Sequence, residues 1–75
     1  MRCEVRVSLK DGIHDPEGNN VKKTLNLLGY SVSEVKISKI YEIEIDGEKK
    51  DVEEICERLL ANPVIHWYTV RDVDG

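Results

Sequence analysis

The chain has 75 residues, 15 of them acidic and 11 basic, for a formal net charge of -4; its Lys and Arg are scattered except at Lys22-Lys23 and Lys49-Lys50, so no cationic face suited to nucleic acid is expected. No apolar run approaches the roughly 20 residues that cross a bilayer, and the N-terminus alternates charged with apolar residues where a signal peptide has its apolar core, so the expectation is a cytoplasmic protein with reduced thiols, off the membrane. A single domain this short buries only about 60% of its unfolded surface and needs a disulfide, a metal or a second copy for support; Cys3 and Cys56 make at most one bridge and have no paired ligand spacing, which leaves self-association.

Residues 2–9 alternate strictly, with Cys3, Val5, Val7 and Leu9 on one side and Glu4, Arg6 and Ser8 on the other, the pattern of a half-buried strand. A turn-rich connector, Leu9 to Gly18, follows and ends in Asp15-Pro16-Glu17-Gly18. Asp15 is placed to cap a helix, Pro16 suits its first position and Glu17 puts negative charge at the positive end of the dipole. Gly18 is costly three residues into a helix unless the first turn is irregular or something must approach its backbone closely, and the approach of a partner subunit's backbone is the preferred expectation. Val21, Leu25 and Leu28, widened by Leu27, recur at helical spacing until Gly29 ends the helix.

Residues 34–46 keep one parity without a turn signal, Val35, Ile37, Lys39, Tyr41, Ile43 and Ile45 opposing Glu34, Lys36, Ser38, Ile40, Glu42 and Glu44. At about 3.3 Å per residue such a strand is roughly 40 Å long, more than a small sheet covers, so the stretch is either two shorter strands with a corner near Ser38-Lys39-Ile40 or, the preferred reading, one long bent strand whose overhang calls for a second copy of the chain. Asp46-Gly47 turns the chain, Asp51 is expected to cap a second helix with Val52, Ile55, Cys56, Leu59 and Leu60 on its buried stripe, and Asn62-Pro63 stops it. A last strand is expected over 64–71, with Val64, Tyr68 and Val70 on one face and Ile65 and Trp67 on the other. The tail from Asp72 onward is expected to fray. The fold class is α+β, a small β-α-β-α-β sandwich with two helices on one face of an antiparallel or mixed sheet and one long bent central strand.

Little here carries chemistry. Cys3 and Cys56 fall on apolar faces as small buried hydrophobes. His14, Asp15 and Glu17 lack further ligands at metal spacing, and His66 reads as a solvated or interfacial side chain. Gly12 and Gly18 flank a helix N-terminus, but Asp11, Asp15 and Glu17 surround it and oppose a phosphate, and no Walker or dinucleotide fingerprint is present. A protein contact fits that turn better than a nucleotide.

Leu9-Lys10-Asp11-Gly12-Ile13 followed by Asp15-Pro16-Glu17-Gly18, then Leu28-Gly29-Tyr30, then Cys56 through Ile65, resembles the small PurS-type subunit of phosphoribosylformylglycinamidine (FGAM) synthase, with three motifs in order across nearly the whole chain. The resemblance implies a single PurS-like domain over 1–75, a relative of the ferredoxin-like fold. It implies a non-catalytic subunit in purine biosynthesis that holds a large PurL-type synthetase and a PurQ-type glutaminase together for ammonia transfer. It further implies a dimer or dimer of dimers, with no cofactor in this subunit and ATP and Mg used by the synthetase. Carried over by position, the partner-interface residues are Asp15, Pro16, Glu17, Gly18, Lys39, Ile40, Tyr41, Asn62, Pro63 and Trp67. Ser38 before Lys39, Ile40 before Tyr41, and His66-Trp67 depart from the family pattern. The competing expectation is an ACT-like regulatory module that binds an amino acid at a dimer interface.

Overall fold

A three-stranded antiparallel sheet with order β2-β1-β3 organises the computed structural model, which describes residues 1–73. The elements run β1 (Arg2–Leu9), α1 (Pro16–Leu27), β2 (Ser38–Glu44), α2 (Lys49–Ile55), a π-helical turn (Cys56–Leu60) and β3 (His66–Asp72). β1 spans the expected residues and is the central strand, paired with β2 from Arg2↔Glu44 to Ser8↔Ser38 and with β3 from Cys3↔Asp72 to Leu9↔His66. Because side chains alternate along a strand, this register puts Cys3, Val5, Val7, Tyr41, Ile43, Tyr68 and Val70 on one face. There α2 and the π-helical turn close a core of Cys3, Val5, Val7, Val52, Cys56 and Ala61.

Helix starts and stops follow local chemistry. The Asp15 carboxylate accepts from the Gly18 N–H at 2.9 Å, with Pro16 in the first turn of α1. At the other end Gly29 has φ +99°, its N–H donates to the Asn26 carbonyl at 3.1 Å and the Tyr30 N–H donates to the Leu25 carbonyl at 3.1 Å, a Schellman closure that the glycine makes possible. Asp51 acts at α2, though from inside the helix. Its carboxylate accepts from the Glu48 N–H at 2.8 Å, so Glu48 is the cap and the helix begins earlier than the expected Asp51 start. The Ala61 N–H reaches the Cys56 carbonyl at 2.8 Å, the wider bond of a π turn, before Ala61 turns extended.

Three expectations are corrected. The long strand over 34–46 is neither central nor continuous: β2 lies at the sheet edge and covers only Ser38–Glu44. Pairing ends at Ser8↔Ser38 because β1 runs out one residue later and the chain turns, with the Ile13 N–H on the Lys10 carbonyl, so residues 31–37 meet no strand of their own chain. They run along α1 instead, where the Asn26 side chain brackets Val32 by accepting from its N–H at 3.0 Å and donating to its carbonyl at 3.1 Å. The last strand starts at His66 and not at residue 64, since the Asn62 carbonyl accepts from the Ile65 and His66 N–H groups and folds 62–65 into a turn that leaves Val64 exposed. Asp72 belongs to β3 and the Val73 N–H donates to the Arg2 carbonyl, so fraying does not begin at 72; the rest of the tail lies outside the described residues.

The two helices differ sharply in how they meet the sheet. α2 lies on it, whereas the buried residue of α1 is Gly18 and its Leu27 is 87% exposed. The radius of gyration, 15.5 Å, exceeds the about 11 Å of a compact chain this long, and the molecule measures 48 × 26 × 14 Å. α1 and residues 31–37 form an arm off the end of the sheet.

Candidate functional interface

The first turn of α1 meets the sheet where the core tapers. A cavity of about 200 Å³ there is lined in part by Leu9, Asp15, Glu17, Lys39, Tyr41 and His66. It brings together four of the residues singled out in the sequence, two from the helix turn and two from β2. Alternation explains the last two, because Lys39 and Tyr41 share the inward parity of Val7 and Val5, their partners on β1. His66 enters from β3 opposite Leu9. Its Nδ1 accepts from the Asn62 N–H at 2.8 Å, which fixes the ring and leaves the proton of the neutral imidazole on Nε2. Asn62 thus joins this end of the molecule through His66, and its own Oδ1 accepts from the Val64 N–H at 3.0 Å. Pro63 takes part through its carbonyl, which accepts from Lys10 Nζ at 2.7 Å.

Gly18 has an internal explanation. It is buried, and a Cβ built there would lie 2.6 Å from the Val35 carbonyl oxygen and 2.8 Å from an Asp15 carboxylate oxygen. The chain's own residues 31–37 occupy the space expected from the sequence to admit a partner's backbone. On the other side of this turn a cleft of about 720 Å³ runs between the β1 connector, α1 and residues 33–37. Lys36 Nζ and the Asp11 carboxylate pair across it at 3.0 Å, and that hydrogen bond to Asp11, with its charge, raises the lysine pKa. Both groups are well exposed, so the pair contributes little to stability.

Ile40 and Trp67 sit apart from these residues, on the opposite face of the sheet. Ile40 stands across from Arg6, and Trp67 across from Ser8. Lys10 lies over the indole, its Nζ 4.7 Å from the ring centroid. Arg6, Lys10 and this setting of His66 are not apparent from the sequence, since all depend on cross-strand register, which one strand's pattern does not disclose.

Among the described residues no reactive group stands out. Cys3 and Cys56 are buried as expected, and burial pushes the Cys56 thiol up, away from the reactive thiolate. Tyr68 is raised by burial and by its 3.1 Å hydrogen bond to Glu57, which ties β3 to the π-helical turn. Among the described residues no three His, Cys, Asp or Glu side chains converge as a metal would need. At this end of the sheet both faces offer polar anchors set among apolar side chains, the make-up of protein contacts.

Comparison with known proteins gives one answer. The family model "PurS: Phosphoribosylformylglycinamidine (FGAM) synthase" matches residues 2–74. Phosphoribosylformylglycinamidine synthase subunit PurS of Methanocaldococcus jannaschii is 42% identical, over 93% of this chain and 92% of its own. The crystal structure of M. jannaschii PurS, described as one of the subunits of formylglycinamide ribonucleotide amidotransferase in the purine biosynthetic pathway, is similar with TM-score 0.81 and 40% identity, covering 93% and 92% of the two chains. A chain in the structure of PurLQS from Thermotoga maritima is similar with TM-score 0.73 and 28% identity, covering 96% of this chain and 95% of that one.

Proposed function

The chain belongs to the PurS family of FGAM synthase, and we propose that it serves purine biosynthesis as the non-catalytic small subunit, bridging a PurL-type synthetase and a PurQ-type glutaminase so that ammonia passes between them. The observation that carries this reading is the match over nearly its whole length to a chain of the PurLQS assembly. The buried thiols fit a subunit without chemistry of its own; use of ATP and Mg by the synthetase is part of the same proposal. The whole chain is read as one PurS-like domain working in the cytoplasm; no helix among the described residues is long and apolar enough to cross a membrane.

Self-association, as a dimer or dimer of dimers, is part of the proposal. It rests on α1 and residues 31–37, which lack a sheet beneath them, and on the exposure of Leu27 and Leu28. Asp15, Pro16, Glu17, Lys39, Tyr41, Asn62 and Pro63 cluster at that end of the molecule and are proposed as partner contacts there. The decisive experiment is reconstitution: purified cognate PurL-type and PurQ-type subunits are assayed for FGAM synthesis from glutamine with and without this protein. Glutamine-dependent synthesis should require it, while ammonia-dependent synthesis by the synthetase should not. Equal glutamine-dependent rates with and without the protein would remove the bridging role.

A further inference from the structure

Among the described residues no element covers the outer face of the sheet. α2 and the π-helical turn close the inner face, and the outward residues of three strands lie bare. The register divides this face in two. Toward one end Glu42 and Glu44 of β2 flank Arg2 and Glu4 of β1, and Glu4 is engaged by Arg71 at 2.6 Å. Toward the other end the row is Ile40, Arg6 and Thr69, and the next is Ser38, Ser8 and Trp67. Arg6 has no acidic partner among the described residues, although the chain carries a net charge of -4. It lines a shallow groove of about 400 Å³ with Glu4, Ile40, Thr69 and Arg71. Ile40 is 52% exposed and Trp67 59%, with the indole braced by Lys10, itself held by the Pro63 carbonyl.

We propose that this half of the outer face, centred on Arg6, Ile40 and Trp67, docks a carboxylate-bearing surface of a non-self subunit in the assembly; the inference rests on the bridging reading above. Tryptophan and arginine are among the side chains that most often dominate protein interfaces, and an unpaired guanidinium between strands is set to take a carboxylate in a two-pronged hydrogen bond. A second copy is the poorer occupant. Lasting self-association favours the more aliphatic surface, which this chain carries on α1, where Leu27 and Leu28 are exposed.

The test uses the full chain with purified cognate PurL-type and PurQ-type subunits. Wild type, Arg6→Gln, Arg6→Glu and Trp67→Ala are compared for fold by circular dichroism, for self-association by sedimentation, and for affinity in the assembled complex. Arg6→Glu and Trp67→Ala should weaken assembly by about tenfold or more while self-association stays at the wild-type level. Raising sodium chloride should weaken wild-type assembly more than that of Arg6→Gln, because the charge pair is screened. Wild-type affinity in both Arg6→Glu and Trp67→Ala overturns the proposal, and so does loss of self-association in well-folded variants, which would give the face to a second copy. Failure of the wild-type protein itself to assemble would remove the bridging reading, and this inference with it.

Discussion

Two helices of similar sequence design end in opposite circumstances. Each carries an aliphatic stripe at helical spacing, Val21, Leu25 and Leu28 along α1 to its C-cap, and Val52, Ile55, Cys56, Leu59 and Leu60 along α2 and the π-helical turn after it, where Leu59, 80% exposed, falls outside the buried set. Val52 and Cys56 are fully buried against the sheet, while Leu27 and Leu28 of the first stripe are 87% and 69% exposed. The difference does not lie in the helices. A three-stranded sheet presents one inward face wide enough for one helix, and α2 takes it. An amphipathic pattern therefore states that a helix needs cover without stating which molecule supplies it.

The contrast breaks first at α2. Val52→Asp puts a carboxylate with no partner into the core, at a cost of about 4 kcal/mol or more. Small domains of this size are marginal, so the variant should lose its far-UV helical and strand signal at ambient temperature. Retention of a cooperative urea transition near wild type would mean that α2 is as dispensable to this fold as α1. A smaller effect is expected at Gly18→Ala. Alanine gains about 1 kcal/mol over glycine in helix propensity. Its Cβ would nevertheless lie 2.6 Å from the Val35 carbonyl, a backbone atom that cannot swing aside. Overpacking of this kind costs about 1–3 kcal/mol, so the net change in urea denaturation should be destabilising. A stabilised variant would show that residues 31–37 do not rest on α1 in solution.

The readable features were the local ones. Asp15 and Pro16 fix the start of α1, Gly29 its end, and strict alternation defines β1 to the residue, because each depends on neighbours in sequence. The three motifs likewise led to the PurS family. Length and partner of the second strand were not readable. Parity continues through residues 34–37, yet a strand exists only where another strand pairs with it, and β1 ends too soon. Asp51 shows the same limit at shorter range, since a carboxylate at the third helical position and one at the cap look alike until the backbone is placed. The candidate interface was half legible: Asp15, Glu17, Lys39 and Tyr41 do converge, whereas Ile40 and Trp67 occupy the other face and draw in Arg6 and Lys10 through a register unseen in the sequence.

The subtlest way to sharpen the contrast leaves the sheet and α2 untouched. Leu27→Lys with Leu28→Lys replaces two exposed leucines at the C-terminal end of α1, where a cation is favoured by the helix dipole. Fraying of the helix therefore cannot account for a loss of association in this variant, and the exposed positions should change the intrinsic stability of the fold by no more than about 0.5 kcal/mol. If a second copy covers α1, two ammonium groups must be desolvated in that contact, and sedimentation should show at least a tenfold loss of self-association, about 1.4 kcal/mol. The thermal midpoint should then lose its dependence on protein concentration, because association no longer contributes to apparent stability. An association constant equal to wild type would mean that the arm stands free in the self-associated protein and that its cover comes from a larger subunit.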